Sequence, residues 1–142
     1  AYIFYGVSRY DIKGKQLLKT LGKHYIVDLG FRNMLLGLRD ADRGHVLENV
    51  VYLELIRRQY RVQIGKVGET EVDFVAQSPQ HKVYIQVAES MATPEVRERE
   101  LRPLNQIPDH HEKIVLSMDR SFINSYDGIK VINILDFLLD MV

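Results

Sequence analysis

Two apolar runs flank one polar turn, and together they fix most of what this chain can become. Glu71-Val72-Asp73-Phe74-Val75-Ala76 and Val83-Tyr84-Ile85-Gln86-Val87-Ala88 read as buried β-strands. The turn between them, Gln77-Ser78-Pro79-Gln80-His81-Lys82, is polar and carries a proline. Glu71 and Asp73 stand at period 2, so both point to one face of the first strand. A carboxylate pair on an otherwise apolar strand is costly to bury, which makes it the first place to look for chemistry.

The rest of the chain supplies elements for that hairpin to pack on. With 142 residues there is material for one core of ordinary size. Residues 1 to 10 are rich in β-formers and read as a strand, turned at Asp11 to Lys15 with Gly14 supplying positive φ. His24 to Asp28 is a second short strand, and Phe31 to Leu38 a short helical or irregular apolar piece. Arg39 to Gly44 is the polar break at which a boundary falls, giving units at 1–40 and 41–142. Asp42 is placed to cap a largely buried helix from Gly44 to Gln59, closed by Arg57 and Arg58.

Tyr60 to Lys66 alternates as a strand and turns at Gly68 into the run bearing Glu71. Thr93 followed by Pro94 starts a second helix, whose charges at 95–100 alternate in sign. Lys113 to Met118 and Ile129 to Ile132 read as strands, and Leu135 to Met141 as a closing amphipathic helix. The fold class is α/β. Its core runs helix-strand-strand-strand-helix-strand as a mixed sheet flanked by helices, preceded by a small β-containing, wing-like unit.

Composition excludes several chemistries. No cysteine is present, so there is no disulfide, thiolate zinc site or cysteine nucleophile, which fits a reducing compartment such as the cytoplasm. Nineteen basic and 19 acidic residues give a formal charge of +0, which argues against nucleic-acid binding by bulk charge and leaves a local basic patch open. No apolar run is long enough to suggest a membrane span. The chain lacks an initiator Met and opens on a strand-like run, so it is expected to be a fragment of a longer protein. Gly14-Lys15 is no phosphate loop, because its glycines are not spaced around the Lys and Gln16 follows.

The element order, with one acid in the first helix and another in the second strand, resembles the restriction-endonuclease-like PD-(D/E)XK superfamily. Gly44-His45-Val46-Leu47-Glu48-Asn49, Glu71 to Val75, Tyr84-Ile85-Gln86-Val87 and the Arg-Glu-Arg-Glu-Leu run at 97–101 are more narrowly similar to a domain of unknown function. That domain lies at the C-terminus of bacterial and archaeal AAA-type ATPases. Arg9 to Lys15 and Tyr25 to Gly30 resemble the winged-helix-like segment that precedes it.

The resemblance implies a site and partners. Active members hold a divalent metal, usually Mg²⁺, with an Asp and a Glu, and a Lys two residues after the Glu positions the attacking water. Carried over, the strand Asp is Asp73 and the helix Glu is Glu48. Gln86 stands in the Glu position and Ala88 in the Lys position, so half of the motif is missing. Glu71 is a candidate replacement carboxylate, and Arg97 or Arg99 a candidate base of poor quality, since Arg stays protonated. The bland alternative makes Glu48, Asp73 and Gln86 a hydrogen-bonded cluster kept for fold uniqueness.

Three functions follow. The first is a recognition or regulatory domain of an AAA-type ATPase whose ATP site lies in the N-terminal part outside this chain. The second is a metal-dependent nuclease using Glu48, Asp73 and Glu71, and the third is an interaction domain packed on its own ATPase module. Lys13, Lys15, Lys19 and Lys23 are the candidate phosphate contacts, against the plain reading of lysines on a solvated sheet edge. His45 could share a ligand with Glu48, His24 and His81 lack a sequence neighbour at metal spacing, and His110-His111 reads as solvated loop.

Overall fold

A computed structural model of the chain describes residues 4–28 and 43–140. The strands, numbered in chain order, are β1 (Phe4–Val7), β2 (Arg9–Asp11), β3 (Gln16–Leu17), β4 (Lys23–Ile26), β5 (Arg61–Val67), β6 (Thr70–Gln77), β7 (Lys82–Ala88), β8 (Glu112–Ser117), β9 (Ser125–Tyr126) and β10 (Ile129–Asn133). The described helices are α1 (Arg43–Arg57), α2 (Pro94–Asn105) and α3 (Ile134–Leu138). None of them is long and apolar enough to cross a membrane.

Eight strands form one mixed sheet in the order β3-β2-β5-β6-β7-β8-β10-β9. β5, β6 and β7 run as an antiparallel meander. β7 and β8 are parallel, as are β8 and β10. A parallel neighbour requires a crossover, and α2 supplies the one between β7 and β8. Thr93 starts α2 as expected, its side chain accepting from the Val96 N–H at 3.3 Å with Pro94 in the first turn. α1 and α3 cover one face of the sheet, where Val51, Tyr52, Leu55, Ile134 and Phe137 meet Ile64, Phe74, Val83 and Ile85. α2 covers the other, where Leu104 and Ile107 meet Val72, Val75, Tyr84 and Val115. Each fully buried large side chain among these contributes about 2 kcal/mol to the core.

The N-terminal segment differs from its sequence reading in two places. The expected single strand over residues 1 to 10 breaks at Ser8 into β1 and β2, which join different sheets. β2 lies parallel to β5, and the Ser8 carbonyl accepts from the Ile64 N–H at 2.9 Å. In the following turn the left-handed residue is Lys15, at φ 53°, and not Gly14. Gly14 serves space instead, because a Cβ there would stand 2.5 Å from the Asp11 carboxylate. Among the described residues β1 and β4 pair only with each other, as a two-stranded antiparallel sheet.

Three expectations, the apolar piece at 31–38, the cap at Asp42 and most of the boundary at 39–44, lie outside the described residues. β3 and β9 are two-residue strands that carry no readable alternation. α3 is shorter than expected, with Asn133 as its cap in place of a start at Leu135.

A candidate polar site where the sheet forks

β6 and β7 pair from Gln77↔Lys82 to Phe74↔Ile85 and then part. The first half of β6 stays with β5, through Gly65↔Val72 and Lys66↔Glu71, while the end of β7 stays with β8 through Gln86↔Val115 and Ala88↔Ser117. A bulge marks the split, since Asp73 and Phe74 together oppose Ile64. Parting leaves backbone donors without a ladder partner, and a buried unpaired donor costs about 1–3 kcal/mol.

Two side chains close the fork reciprocally. The Asp73 carboxylate accepts from the Val87 N–H at 2.8 Å, and the Gln86 carbonyl oxygen accepts from the Asp73 N–H at 3.1 Å. The other end of the Gln86 amide donates to Glu100 Oε2 on α2 at 3.0 Å. Glu100 in turn takes two donors from Arg99, at 3.1 and 3.0 Å. Gln86 is buried, and both ends of its amide are used.

The remaining acids gather around one lysine. Lys23, at the start of β4, places its Nζ 3.2 Å from Glu48 Oε1 and 3.0 Å from Glu71 Oε1. The other oxygen of Glu71 is held by Arg9 Nε at 3.0 Å. Tyr25 donates its hydroxyl to Glu48 Oε1 at 2.5 Å. Its ring stacks on Tyr52 of α1, with centroids 4.4 Å apart and planes 17° apart. Lys23 and Tyr25 are two apart on β4, so the period-2 rule turns both toward α1.

Electrostatics follow from this packing. Burial, then the neighbouring Glu48, pushes the Asp73 carboxyl up to about 7, against the Val87 N–H and Lys23, which favour the ion. Burial opposes the charge on Glu71, but Lys23 and Arg9 overcome it and hold that carboxyl below its usual range. Burial also opposes the charge on Lys23, and the surrounding Glu48, Glu71 and Asp73 still raise its pKa. Burial and Glu48 raise the Tyr25 phenol. Glu48 and Glu100 both disfavour a further negative charge at Asp73, so Asp73 is the carboxyl that this packing pushes toward its neutral form.

This makes Asp73 a titration marker. Folded, it binds its proton more tightly than an ordinary Asp near 3.8, so its contribution to stability is greatest at low pH and falls as pH rises from about 4 through about 7. Asp73→Asn keeps an oxygen for the Val87 N–H and removes the charge. It is expected to stabilise the chain by about 1–2 kcal/mol at pH 8 and to change little at pH 4. Urea titrations of both proteins across this range measure it, and parallel pH profiles would show that Asp73 is not so burdened.

The other candidate residues stand apart from this cluster. Arg97 bonds the Ala92 carbonyl at 3.4 Å and lies over the Tyr126 ring at 5.1 Å, while Arg99 is taken by Glu100. Neither supplies the cation beside Glu48 and Glu71; Lys23 does, which the sequence reading had grouped with the phosphate contacts. Ala88 is buried against the α2 face and offers no polar atom. Lys13, Lys15 and Lys19 are exposed on and just after the β2–β3 hairpin. His45 is exposed on the first turn of α1, and His110 and His111 are exposed as expected. His81 gains in space the acidic partner it lacked in sequence, with Nε2 2.7 Å from Glu112 and Nδ1 3.1 Å from the Tyr60 hydroxyl.

The arrangement does not fit a hard divalent cation. Such an ion needs several free oxygens at close range. Glu48 Oε1 is shared by Lys23 and Tyr25, the two Glu71 oxygens are held by Lys23 and Arg9, and the Gln86 oxygen is committed to a backbone N–H. Among the described residues, no three His, Cys, Asp or Glu side chains gather in a group that could hold a metal ion.

No protein-family model matches the chain. An uncharacterized protein of Haemophilus influenzae is 40% identical over 139 residues, which covers 98% of this chain. The same alignment covers 34% of that relative, so the chain spans about a third of the length of the protein it matches.

Proposed function

We propose that this chain is a recognition or regulatory domain of a larger protein, built on a restriction-endonuclease-like core that does not cut nucleic acid. The observation that carries this reading is Gln86. It stands where a cleaving member of that superfamily has a carboxylate, and its amide instead ties Asp73 to Glu100. The meander of β5, β6 and β7, the α2 crossover and β8 support the restriction-endonuclease-like core. A homologue about three times as long leaves room for the AAA-type ATPase module to which the domain would report, and ATP would be bound there.

DNA is the ligand that the exposed Lys13, Lys15 and Lys19 favour, as contacts to phosphates. A mobility shift with duplex DNA tests it. The shift is expected at low salt, to weaken as salt rises, and to weaken further in the Lys13→Ala/Lys15→Ala variant. No shift even at low salt would remove DNA as the ligand.

The second reading, a domain that docks on its own ATPase module, draws on one observation. Phe122 is fully exposed at 108%, and Ile123 and Leu139 are exposed at 51% and 68%. Apolar side chains of that size left in water suit a protein partner.

A further inference from the structure

We infer that the face bearing Phe122 pairs with the same face of a second copy of this chain, each copy setting its Phe122 loop into the other's cleft. This goes beyond the proposed function, and Asp73, Gln86 and Glu100 take no part in it.

The projecting element is the loop between β8 and β9. Its Phe122 ring is fully exposed, and Ile123 is half exposed beside it. The loop is tied down on both sides of them. Asn133 donates its side-chain amide to the Met118 and Asp119 carbonyls at 3.2 and 3.1 Å, and the Asn124 carbonyl accepts from the Val131 N–H at 2.8 Å. The Ser121 hydroxyl accepts from the Ile123 N–H at 3.1 Å, which closes the tip. A ring held out by a fixed loop loses little freedom when it docks.

The receiving element lies next to it. Phe122 and Ile123 line one side of a cleft of about 1010 Å³. Val83, Ile85 and Ile114 line it from the sheet, and Leu55 and Phe137 from α1 and α3. A projecting ring beside its own cleft closes as a pair, because each copy gives one ring and receives one. That is the self-complementarity a two-fold interface requires.

The charges around the cleft favour the same occupant. Arg58 pairs with Asp140 at 2.6 Å, Arg120 with Asp136 at 3.5 Å and Lys130 with Glu112 at 2.7 Å. Bases and acids are interspersed, so the face carries no block of one sign. A second copy meets it without like-charge repulsion, whereas a polyanion would meet acids as readily as bases. A small charged ligand would find these groups already spent on one another.

Sedimentation equilibrium of the whole chain, from low to high micromolar concentration, tests the inference. The wild type is expected to reach twice the mass of the chain and no more. Phe122→Asp should weaken the pair by about 30-fold or more, the loss expected when an anchoring aromatic is removed. Its far-UV circular dichroism should match the wild type, since the ring is outside the core. A photo-reactive benzoyl-phenylalanine in place of Phe122 gives an independent reading. In a mixture of isotopically light and heavy chains it should cross-link to the cleft of the other copy, at residues such as Ile132 and Phe137.

A monomer at every concentration would overturn the inference and leave this face to docking on another module. A pair that survives Phe122→Asp, or cross-links that fall outside the cleft, would overturn it by placing the contact elsewhere. A mass that climbs past two copies would overturn the closed pair.

Discussion

Asn49→Ala is expected to destabilise the chain by about 2–4 kcal/mol, a cost much larger than the loss of one surface amide. Asn49 is buried at 7% exposure on α1, and its side chain behaves as a strand partner. Its oxygen accepts from the Ile26 N–H and its nitrogen donates to the Ile26 carbonyl, both at 2.9 Å. Alanine would leave both backbone groups unpaired in a site that excludes water. A two-stranded sheet is marginal by itself, so β1 and β4 depend on this attachment.

The loss should be local before it is global. Amide exchange should quicken at Tyr25 and Ile26 while Ile85 and Val115, in the middle of the large sheet, keep their protection. Asn49→Asp retains the acceptor but sets a buried carboxylate against the Ile26 carbonyl, so it should cost at least as much as Asn49→Ala at pH 8 and less once the carboxyl is protonated at pH 4. A cost below about 0.5 kcal/mol would mean that β4 is held by something other than Asn49.

Gln86→Glu is the second large effect, and its sign is the informative part. Restoring the carboxylate that a nuclease motif calls for should weaken this protein by about 2–4 kcal/mol at pH 8. Glutamate still offers an oxygen to the Asp73 N–H, but it has no donor for Glu100 and places a charge between Glu100 and Asp73. The penalty should shrink toward pH 5 as the carboxyls take up protons. Urea unfolding at both pH values reads it directly. Unchanged stability at pH 8 would show that the Gln86 amide is not needed as a donor.

Much of the layer arrangement was legible because it rests on periodicity. The β6–β7 hairpin, the Thr93-Pro94 start of α2 and the run through β8 all announce themselves in apolar alternation or capping residues. What escaped was set by partners distant in sequence. Nothing local in residues 4–11 says that β1 pairs with β4 while β2 joins β5. Gln16–Leu17 and Ser125–Tyr126 are strands only because a neighbour accepts them.

The site was half visible. The superfamily pattern points to Glu48, Asp73 and Gln86; the structure ties Asp73 and Gln86 to one another and to Glu100, and sets Glu48 with Glu71 on Lys23. With Ala88 in the Lys position, the sequence points to Arg97 or Arg99 of α2 for the cation, whereas Lys23 of β4 supplies it. The signal available was small: Lys23 and Tyr25 two apart on a short strand, one a cation and the other a ring with a polar tip. Reading them as one face would have asked which acid they meet. Glu100 was passed over as one of several helix charges, and only its contact with Gln86 distinguishes it.

A cluster whose polar groups are spent on one another is proposed to perform no metal-dependent cleavage. The most direct measurement incubates plasmid or branched DNA with the purified chain and Mn²⁺, beside an EDTA control and Asp73→Ala. Wild type with Mn²⁺ is expected to cut no more than the EDTA control and no more than the variant. Mn²⁺-dependent cleavage by the wild type that Asp73→Ala abolishes would contradict it.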